Sequence, residues 1–125
     1  MLFDTNVLLW LFRGNLKALK IIQSDNDRRI SVVTYMELLQ GARNQQELKN
    51  IKNLLIEFNI GIVPLSENTG YRASIYMEEY VLKTALYLAD ALIVATAVED
   101  GFIHCTGNLK HYRMIKDFPL KQFNP

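Results

Sequence analysis

The sequence predicts an α/β fold in which a short, mainly parallel sheet is packed between helices. Short apolar segments rich in β-branched residues alternate with longer amphipathic segments along all 125 residues. This alternation is typical of chains built from strand–helix–strand units. Half of the residues are hydrophobic and 22% are charged, as in ordinary globular domains. No repeat, low-complexity segment or linker divides the chain, so we expect a single domain over residues 1–125.

The first half of the chain contains two predicted strands and four predicted helices. Apolar or β-branched runs predict strands over residues 1–3 and 30–33. Apolar residues at helical spacing predict helices over residues 7–12, 16–24, 34–42 and 45–58. Gly14 and Asn15 separate the first two helices, and the polar residues 25–27 form a loop before the second strand.

The second half continues the alternation. Residues 60–65 predict a strand that contains Pro64, which indicates an edge position or a strand end. A helix over residues 66–82 and a connector over 83–88 precede a small-residue helix, 89–98, which Gly101 ends. The remaining predicted features are a strand over 102–105, a turn over 106–108 and a short final strand over 120–123.

Charge and composition exclude several classes of protein. The formal net charge is only +1, so any contact with nucleic acid depends on local basic clusters or on metal ions. Cys105 is the single cysteine; it has no internal disulfide partner and is expected to be a buried strand residue in a reducing compartment. No signal peptide and no membrane-length apolar run is visible, so the cytoplasm is the expected location and no membrane contact is expected.

Three acids stand at or near the starts of predicted helices, two of them just after a predicted strand. Asp4 follows the first strand, Glu37 lies in the first turn after the second strand, and Asp90 enters the small-residue helix. Each has an ordinary explanation as a helix cap: Asp4 and Asp90 at helix starts, and Thr34 with Glu37 as a capping box. Right-handed crossovers would nevertheless place Asp4, Glu37 and the turn over 106–108 on the same side of the sheet, where Asp90 could meet them.

Three carboxylates in one cleft repel one another, and a divalent cation would compensate their charge. The ligands are oxygen atoms, and no cysteine or histidine pair stands at zinc spacing. This ligand set favours Mg²⁺ or Mn²⁺ over Zn²⁺.

Four segments together resemble the PIN-domain ribonucleases, and within them the VapC-like toxins of toxin–antitoxin pairs. They are residues 2–9, LFDTNVLL; 30–38, ISVVTYMEL; 88–97, LADALIVATA; and 106–112, TGNLKHY. The resemblance covers nearly the whole chain and implies a PIN-like three-layer α/β/α sandwich. It also implies that Asp4, Glu37 and Asp90 are the metal-binding acids, with the hydroxyls of Thr5 and Thr106 nearby.

The sequence departs from this pattern at Asn108. Many relatives carry a fourth acid there, whereas the amide of Asn108 is neutral but can still accept through its carbonyl oxygen. We expect Asn108 to take part in the site with Thr106. One fewer negative charge weakens the binding of a second metal ion, so the sequence leaves open whether the site holds one ion or two. Asp117, further along a basic tail, is a weaker alternative for the missing acid.

The resemblance further implies an endoribonuclease that uses Mg²⁺ or Mn²⁺, acts on tRNA or rRNA, forms a homodimer and binds a cognate antitoxin. The tyrosines at 71, 76, 80 and 87 are the predicted dimer region. His104, His111 and Tyr112 are expected to have structural or substrate-contact roles. Four cations close to the motifs are candidates for binding RNA phosphates: Arg13, Arg43, Lys110 and Arg113. Thr5 is the fifth candidate substrate residue.

Three alternatives stand beside this interpretation. The leading one is a catalytically silent PIN-like fold that only binds RNA or a partner protein, and Asn108 favours it. A phosphoacceptor receiver domain fits poorly, because Asp4 stands alone after the first strand and no lysine occupies the late turn. A DNA exonuclease or flap nuclease is less favoured, because the chain has no additional arch or helical clamp.

Overall fold

Five short parallel strands form the central sheet. The computed structural model describes residues 1–116 and 118–125, and the strand order across the sheet is β3-β2-β1-β4-β5. All four neighbouring pairs are parallel, which places the carboxyl ends of the strands at one edge. The strands are β1 (Leu2–Phe3), β2 (Arg29–Ser31), β3 (Gly61–Val63), β4 (His104–Thr106) and β5 (Leu120–Gln122).

Helices connect the strands and cover both faces of the sheet, as parallel pairing requires. In the described residues they are α1 (Thr5–Phe12), α2 (Leu16–Gln23), α3 (Val32–Gln40), α4 (Gln45–Glu57), α5 (Glu67–Tyr80), α6 (Leu88–Asp100) and α7 (Leu109–Tyr112). The predicted α/β/α sandwich with a parallel sheet is therefore confirmed.

The alternation of side chains along β1 divides the core into two halves. Phe3 packs with Leu8, Ile22 and Leu55 from the helices on one face. Leu2 packs with Ile93 and Ala97 of α6 on the other. All of these side chains are at least nine-tenths buried. Since β1 is central and buried on both faces, the residue that follows it is held in a fixed position.

The boundary between β2 and α3 differs from the prediction. Ser31 ends the strand and caps the helix, because its hydroxyl accepts a hydrogen bond from the backbone N–H of Val33 at 3.1 Å. Val32 and Val33, predicted to be strand residues, are therefore helical. Thr34 and Glu37 lie inside α3, so the predicted capping box was wrong.

Other boundaries moved by a few residues. Helix α6 begins at Leu88 with Tyr87 at the cap position, so Asp90 does not cap a helix that starts at residue 91. Strand β4 starts at His104, two residues later than predicted. Pro64 follows the end of β3, which is also an edge strand, and the final strand is confirmed as β5 at the opposite edge.

Candidate active site at the carboxyl edge of the sheet

Asp4 lies at the carboxyl end of β1, beside the end of β4. The register pairs Phe3 with Cys105, and the backbone N–H of Asp4 donates to the carbonyl of Cys105 at 2.8 Å. Thr106 is therefore next to Asp4 on the neighbouring strand. The side chain of Asp4 is almost fully buried, and Thr106 is completely buried.

Both oxygens of the Asp4 carboxylate accept hydrogen bonds. Oδ1 accepts from the backbone N–H of Thr5 at 2.9 Å, which makes Asp4 the cap of α1. Oδ2 accepts from the hydroxyl of Thr106 at 2.6 Å and from the hydroxyl of Tyr112 at 3.1 Å. Asp4 is thus a helix cap and the centre of a buried polar cluster at once, so the two explanations do not exclude each other.

Asp90 reaches the same cluster from the first turn of α6. Its Oδ2 accepts from the backbone N–H of Tyr87 at 3.0 Å, and its Oδ1 accepts from the hydroxyl of Tyr112 at 3.1 Å. The Nδ1 atom of His111 lies 3.2 Å from Oδ2 without the alignment of a hydrogen bond. Tyr112 therefore connects Asp90 to Asp4.

Glu37 approaches from α3 and is connected through Thr5. Its Oε1 accepts from the hydroxyl of Thr5 at 2.6 Å, and that hydroxyl lies 3.0 Å from the hydroxyl of the buried Thr34. Glu37 is exposed, unlike Asp4. Thr5 thus connects Glu37, which accepts from its hydroxyl, to Asp4, which accepts from its backbone N–H and caps α1.

The turn after β4 holds Thr106 in place. The hydroxyl of Thr106 accepts from the backbone N–H of Asn108 at 3.0 Å, and the backbone N–H of Gly107 donates to Asn6 Oδ1 at 3.3 Å. A Cβ atom at residue 107 would lie 3.1 Å from Asn6 Nδ2 and 3.3 Å from the carbonyl of Phe123. Glycine therefore permits the close approach of this turn to α1.

Among the described residues, the side chain of Asn108 makes no hydrogen bond to the acids. It starts α7 without a side-chain capping bond, and its part in the cluster is the backbone bond to Thr106. The predicted part of its amide in the metal site therefore stays a prediction. Asp117, the alternative, lies outside the described residues.

Burial changes the acid–base properties of the two aromatic groups beneath the acids. Burial raises the pKa of the Tyr112 hydroxyl far above its usual range, and the charges of Asp4 and Asp90 raise it further. Burial lowers the pKa of His104, although Asp4, whose Oδ2 lies 3.8 Å from Nε2, acts in the opposite direction. Tyr112 is therefore a neutral donor, and His104 favours the neutral form.

The four predicted phosphate contacts fall into two groups. Arg13 and Arg43 line a cavity of about 530 Å³ that also contains Glu37; Arg13 lies over the Trp10 ring at 5.3 Å, and Arg43 pairs with Glu47 at 3.0 Å. Lys110 and Arg113 are exposed on and just after α7. The first pair therefore shares a cavity with Glu37, and the second pair lies on the segment that carries Tyr112.

Sequence reasoning missed the part played by α7. It gave Tyr112 a structural or substrate-contact role; the ring is fully buried, but the contact of its hydroxyl with two acids was not predicted. The only signal was the position of Tyr112 at the end of the fourth family-like segment. Within the described ranges, no three aspartate, glutamate, histidine or cysteine side chains are close enough to hold one metal ion. The acids are connected by shared hydrogen-bond donors instead.

Comparison with known proteins identifies the family. The family model described as PIN domain matches residues 1–116. The chain belongs to the PIN-domain family. The resemblance found in the four sequence segments is thereby confirmed, and the PIN domain accounts for the parallel sheet with acids at its carboxyl edge. No curated protein matches the sequence.

Solved structures of toxin–antitoxin complexes contain similar chains. A chain of a toxin–antitoxin complex from Klebsiella pneumoniae is 30% identical with a TM-score of 0.76, over 91% of both chains. VapBC2 from Rickettsia felis is 17% identical with a TM-score of 0.81, over 98% of both chains. VapBC-1 from nontypeable Haemophilus influenzae is 22% identical with a TM-score of 0.80, over 97% of this chain and 96% of that one. The last two show the shared fold alone.

No helix among the described residues combines the length and apolar character needed to cross a membrane.

Proposed function

We propose that this PIN-domain protein is a metal-dependent endoribonuclease and the toxin of a toxin–antitoxin pair, acting on tRNA or rRNA. One observation carries the proposal: two acids, Asp4 and Asp90, share one buried donor at the carboxyl edge of a parallel sheet. Glu37 joins them through Thr5. The 30% identity to a chain of the Klebsiella complex supports the assignment to a toxin.

The donor set fits a hard divalent cation in kind. Asp4, Glu37 and Asp90 offer carboxylate oxygens, which Mg²⁺ and Mn²⁺ prefer. Glu37 is exposed and accepts a single hydrogen bond, so its reorientation toward Asp4 and Asp90 costs little. These three residues would hold Mg²⁺ or Mn²⁺, one ion or two.

A bound cation of this kind lowers the pKa of its water and neutralises charge on the scissile phosphate. The protein residues hold the Asp4 carboxylate in a fixed orientation. Thr106 and Thr5 fix Asp4 through hydrogen bonds to Oδ2 and Oδ1, so the carboxylate cannot rotate freely. The ring of His104 is fully buried, and burial lowers its pKa, which favours the neutral form. Hydrolysis then requires no covalent nucleophile from the chain.

Arg13, Arg43, Lys110 and Arg113 are the proposed phosphate contacts. In sequence, Arg13 follows α1, Arg43 lies between α3 and α4, Lys110 lies in α7, and Arg113 follows α7. The exposed Arg43 must leave the half-buried Glu47 to bind a phosphate, a small cost because such surface ion pairs contribute little.

Cleavage of a mixed tRNA and rRNA pool tests the enzyme. We expect cleavage in Mg²⁺ or Mn²⁺, loss of cleavage in EDTA, and loss of at least 100-fold in Asp4→Asn and Asp90→Asn. Asp100→Asn, which changes an exposed acid at the end of α6, is the matched control and should cleave like the wild type. Equal cleavage in all four proteins would exclude the proposed acids.

The second candidate function is a silent PIN domain that only binds RNA or a partner. The neutral side chain of Asn108, which has no hydrogen bond to the acids among the described residues, favours it. RNA binding without cleavage in either metal would decide for this candidate. Asn108→Asp should be measured alongside, because a gain of cleavage in that variant alone would identify the missing charge as the cause of silence.

The antitoxin is proposed to cover the cavity between α1, α3 and α4. This cavity combines Leu9, Phe12 and Leu54 with Arg13 and Glu37, so an apolar peptide carrying a basic side chain fits it. Co-expression with the protein encoded beside it should give a stable complex, and Leu9→Glu should weaken it without unfolding the protein. Unchanged affinity would place the partner elsewhere.

A homodimer is proposed through the connector between α5 and α6. Tyr76 is buried within its own chain, whereas Val81, Leu82, Tyr87 and Leu88 are exposed there, and clustered exposed apolar groups favour an interface. Sedimentation should show a dimer that Leu82→Glu disrupts; a monomeric wild type would contradict this.

The buried Cys105 thiol suits the proposed cytoplasmic location.

A further inference from the structure

Tyr112 places one hydroxyl proton between two carboxylates. Its oxygen lies 3.1 Å from Asp4 Oδ2 and 3.1 Å from Asp90 Oδ1. A phenol has one proton to donate, so at any moment it satisfies one carboxylate while its lone pairs face the other. Two anions are thus held around a single donor.

The two carboxylates do not depend on this proton equally. Asp4 Oδ2 also accepts from Thr106 at 2.6 Å, so it keeps a donor when the tyrosine proton points away. Asp90 Oδ1 has no other hydrogen-bond donor among the described residues. The hydroxyl therefore orients Asp90 toward Asp4, although like charges favour their separation.

The position of the hydroxyl is fixed by the core. The Tyr112 ring is fully buried and meets the buried His104 ring edge-on, with 4.8 Å between centroids. It also packs in a core cluster with Ala91 and Val94 of α6. Because the ring has no exposed face, it cannot stack on a base.

We propose that Tyr112 is a positioning residue that holds Asp4 and Asp90 at the separation a divalent cation requires, and so sets the affinity of the site for that cation. This inference rests on the metal site of the proposed function. Groups that orient metal ligands in this way commonly change metal affinity by 10- to 100-fold when removed.

The first test measures Mn²⁺ affinity by calorimetry or by the electron paramagnetic resonance signal of free Mn²⁺. Tyr112→Phe removes only the hydroxyl, and we expect the Kd to rise about tenfold. Tyr76→Phe is the matched control, because Tyr76 is buried in the same core cluster and its hydroxyl faces Arg72 rather than the acids. Its Kd should stay within twofold of the wild type.

The outcomes separate this inference from the proposed function. A wild-type protein that binds no Mn²⁺ would overturn the proposed metal site and this inference with it. A wild type that binds, with Tyr112→Phe binding equally well, would overturn this inference alone.

The second test needs no metal. In EDTA, Tyr112→Phe should lower Tm in the wild-type background, because the buried Asp4 and the partly buried Asp90 lose their shared donor. In the Asp90→Asn background the change should be clearly smaller, because only one anion remains. Equal changes in Tm in the two backgrounds would mean that the hydroxyl acts independently of Asp90, which would overturn the proposal.

Discussion

His104 is a buried histidine in contact with an acid, yet neither of its ring nitrogens has a hydrogen-bond partner in the part of the chain described. Burial lowers its pKa from the ordinary value of 6.5. The unfolded state therefore binds a proton more readily, and His104 destabilises the fold as the pH falls below about 6.5. Stability attributable to a neutral His104 is present above that pH and is lost below it.

We predict that His104→Leu reduces the acid sensitivity of the protein. Between pH 7.5 and 5.5 the wild-type free energy of unfolding should fall, with one such group contributing at most about 1.4 kcal/mol per pH unit. The fall should be smaller in the variant. Urea unfolding at the two pH values measures both, and parallel losses in the two proteins would rule out His104 as the source.

Cys105 belongs to the same strand and should be chemically silent. Burial raises the pKa of its thiol to about 11, and the side chain is fully buried, so little thiolate exists near neutral pH. We predict that a disulfide reagent at pH 8 labels the native protein at least 100-fold more slowly than the protein in guanidinium chloride. Rapid labelling without denaturant would show that β4 opens readily.

The sequence named the acids of the proposed site but not the hydrogen bonds that connect them. Asp4, Glu37 and Asp90 were predicted to meet from the topology and from their match to the family's metal-binding acids. The hydroxyl of Tyr112 was missed because its contacts join residues more than 20 positions away, at Asp90, and more than 100 away, at Asp4. Such pairings depend on the packing of α7, which local sequence does not encode.

At the scale of elements, strand and helix types followed from periodicity, while boundaries followed from individual hydrogen bonds. Val32 and Val33 favour strands by propensity, but the side chain of Ser31 accepts from Val33 N–H and starts the helix earlier. The sequence predicted that the sheet is mainly parallel but not the order of its strands, because strand order depends on which helices pack against which face.

Helix α6 ends as predicted, and its end gives a paired test. Gly101 has a φ of +72°, in the left-handed region, and a Cβ there would meet nothing within 4 Å. Gly101→Ala should therefore cost about 1 kcal/mol for backbone conformation alone. Gly70 lies inside α5 with the same open space and no positive φ, so Gly70→Ala should stabilise by about 0.5 kcal/mol.

Thermal or urea unfolding of the two variants checks this prediction. The two substitutions add the same methyl group, and only the backbone conformation differs. The same sign in both would show that solvent exposure or packing, rather than φ, decides the effect.

At the scale of the whole molecule, a net charge of +1 leaves little long-range attraction for RNA. Binding must then depend on where the cations lie. Lys110 and Arg113 are exposed, and they flank His111 and Tyr112, whose side chains lie next to Asp90. Lys17 and Lys20 are equally exposed on α2, outside the cluster of acids, hydroxyls and α7.

We predict that the salt dependence of RNA binding distinguishes these two pairs. Each cation that neutralises a phosphate on a single strand contributes about 0.7 to the slope of log K against log salt. Replacing Lys110 and Arg113 by alanine should lower the slope by roughly 1 to 1.5 and weaken binding to all sequences alike. Replacing Lys17 and Lys20 by alanine lowers the net charge by the same amount but should leave the slope unchanged. Filter binding in EDTA, which prevents cleavage, measures both, and equal losses in the two double variants would mean that RNA responds to net charge rather than to the surface beside Asp4 and Asp90.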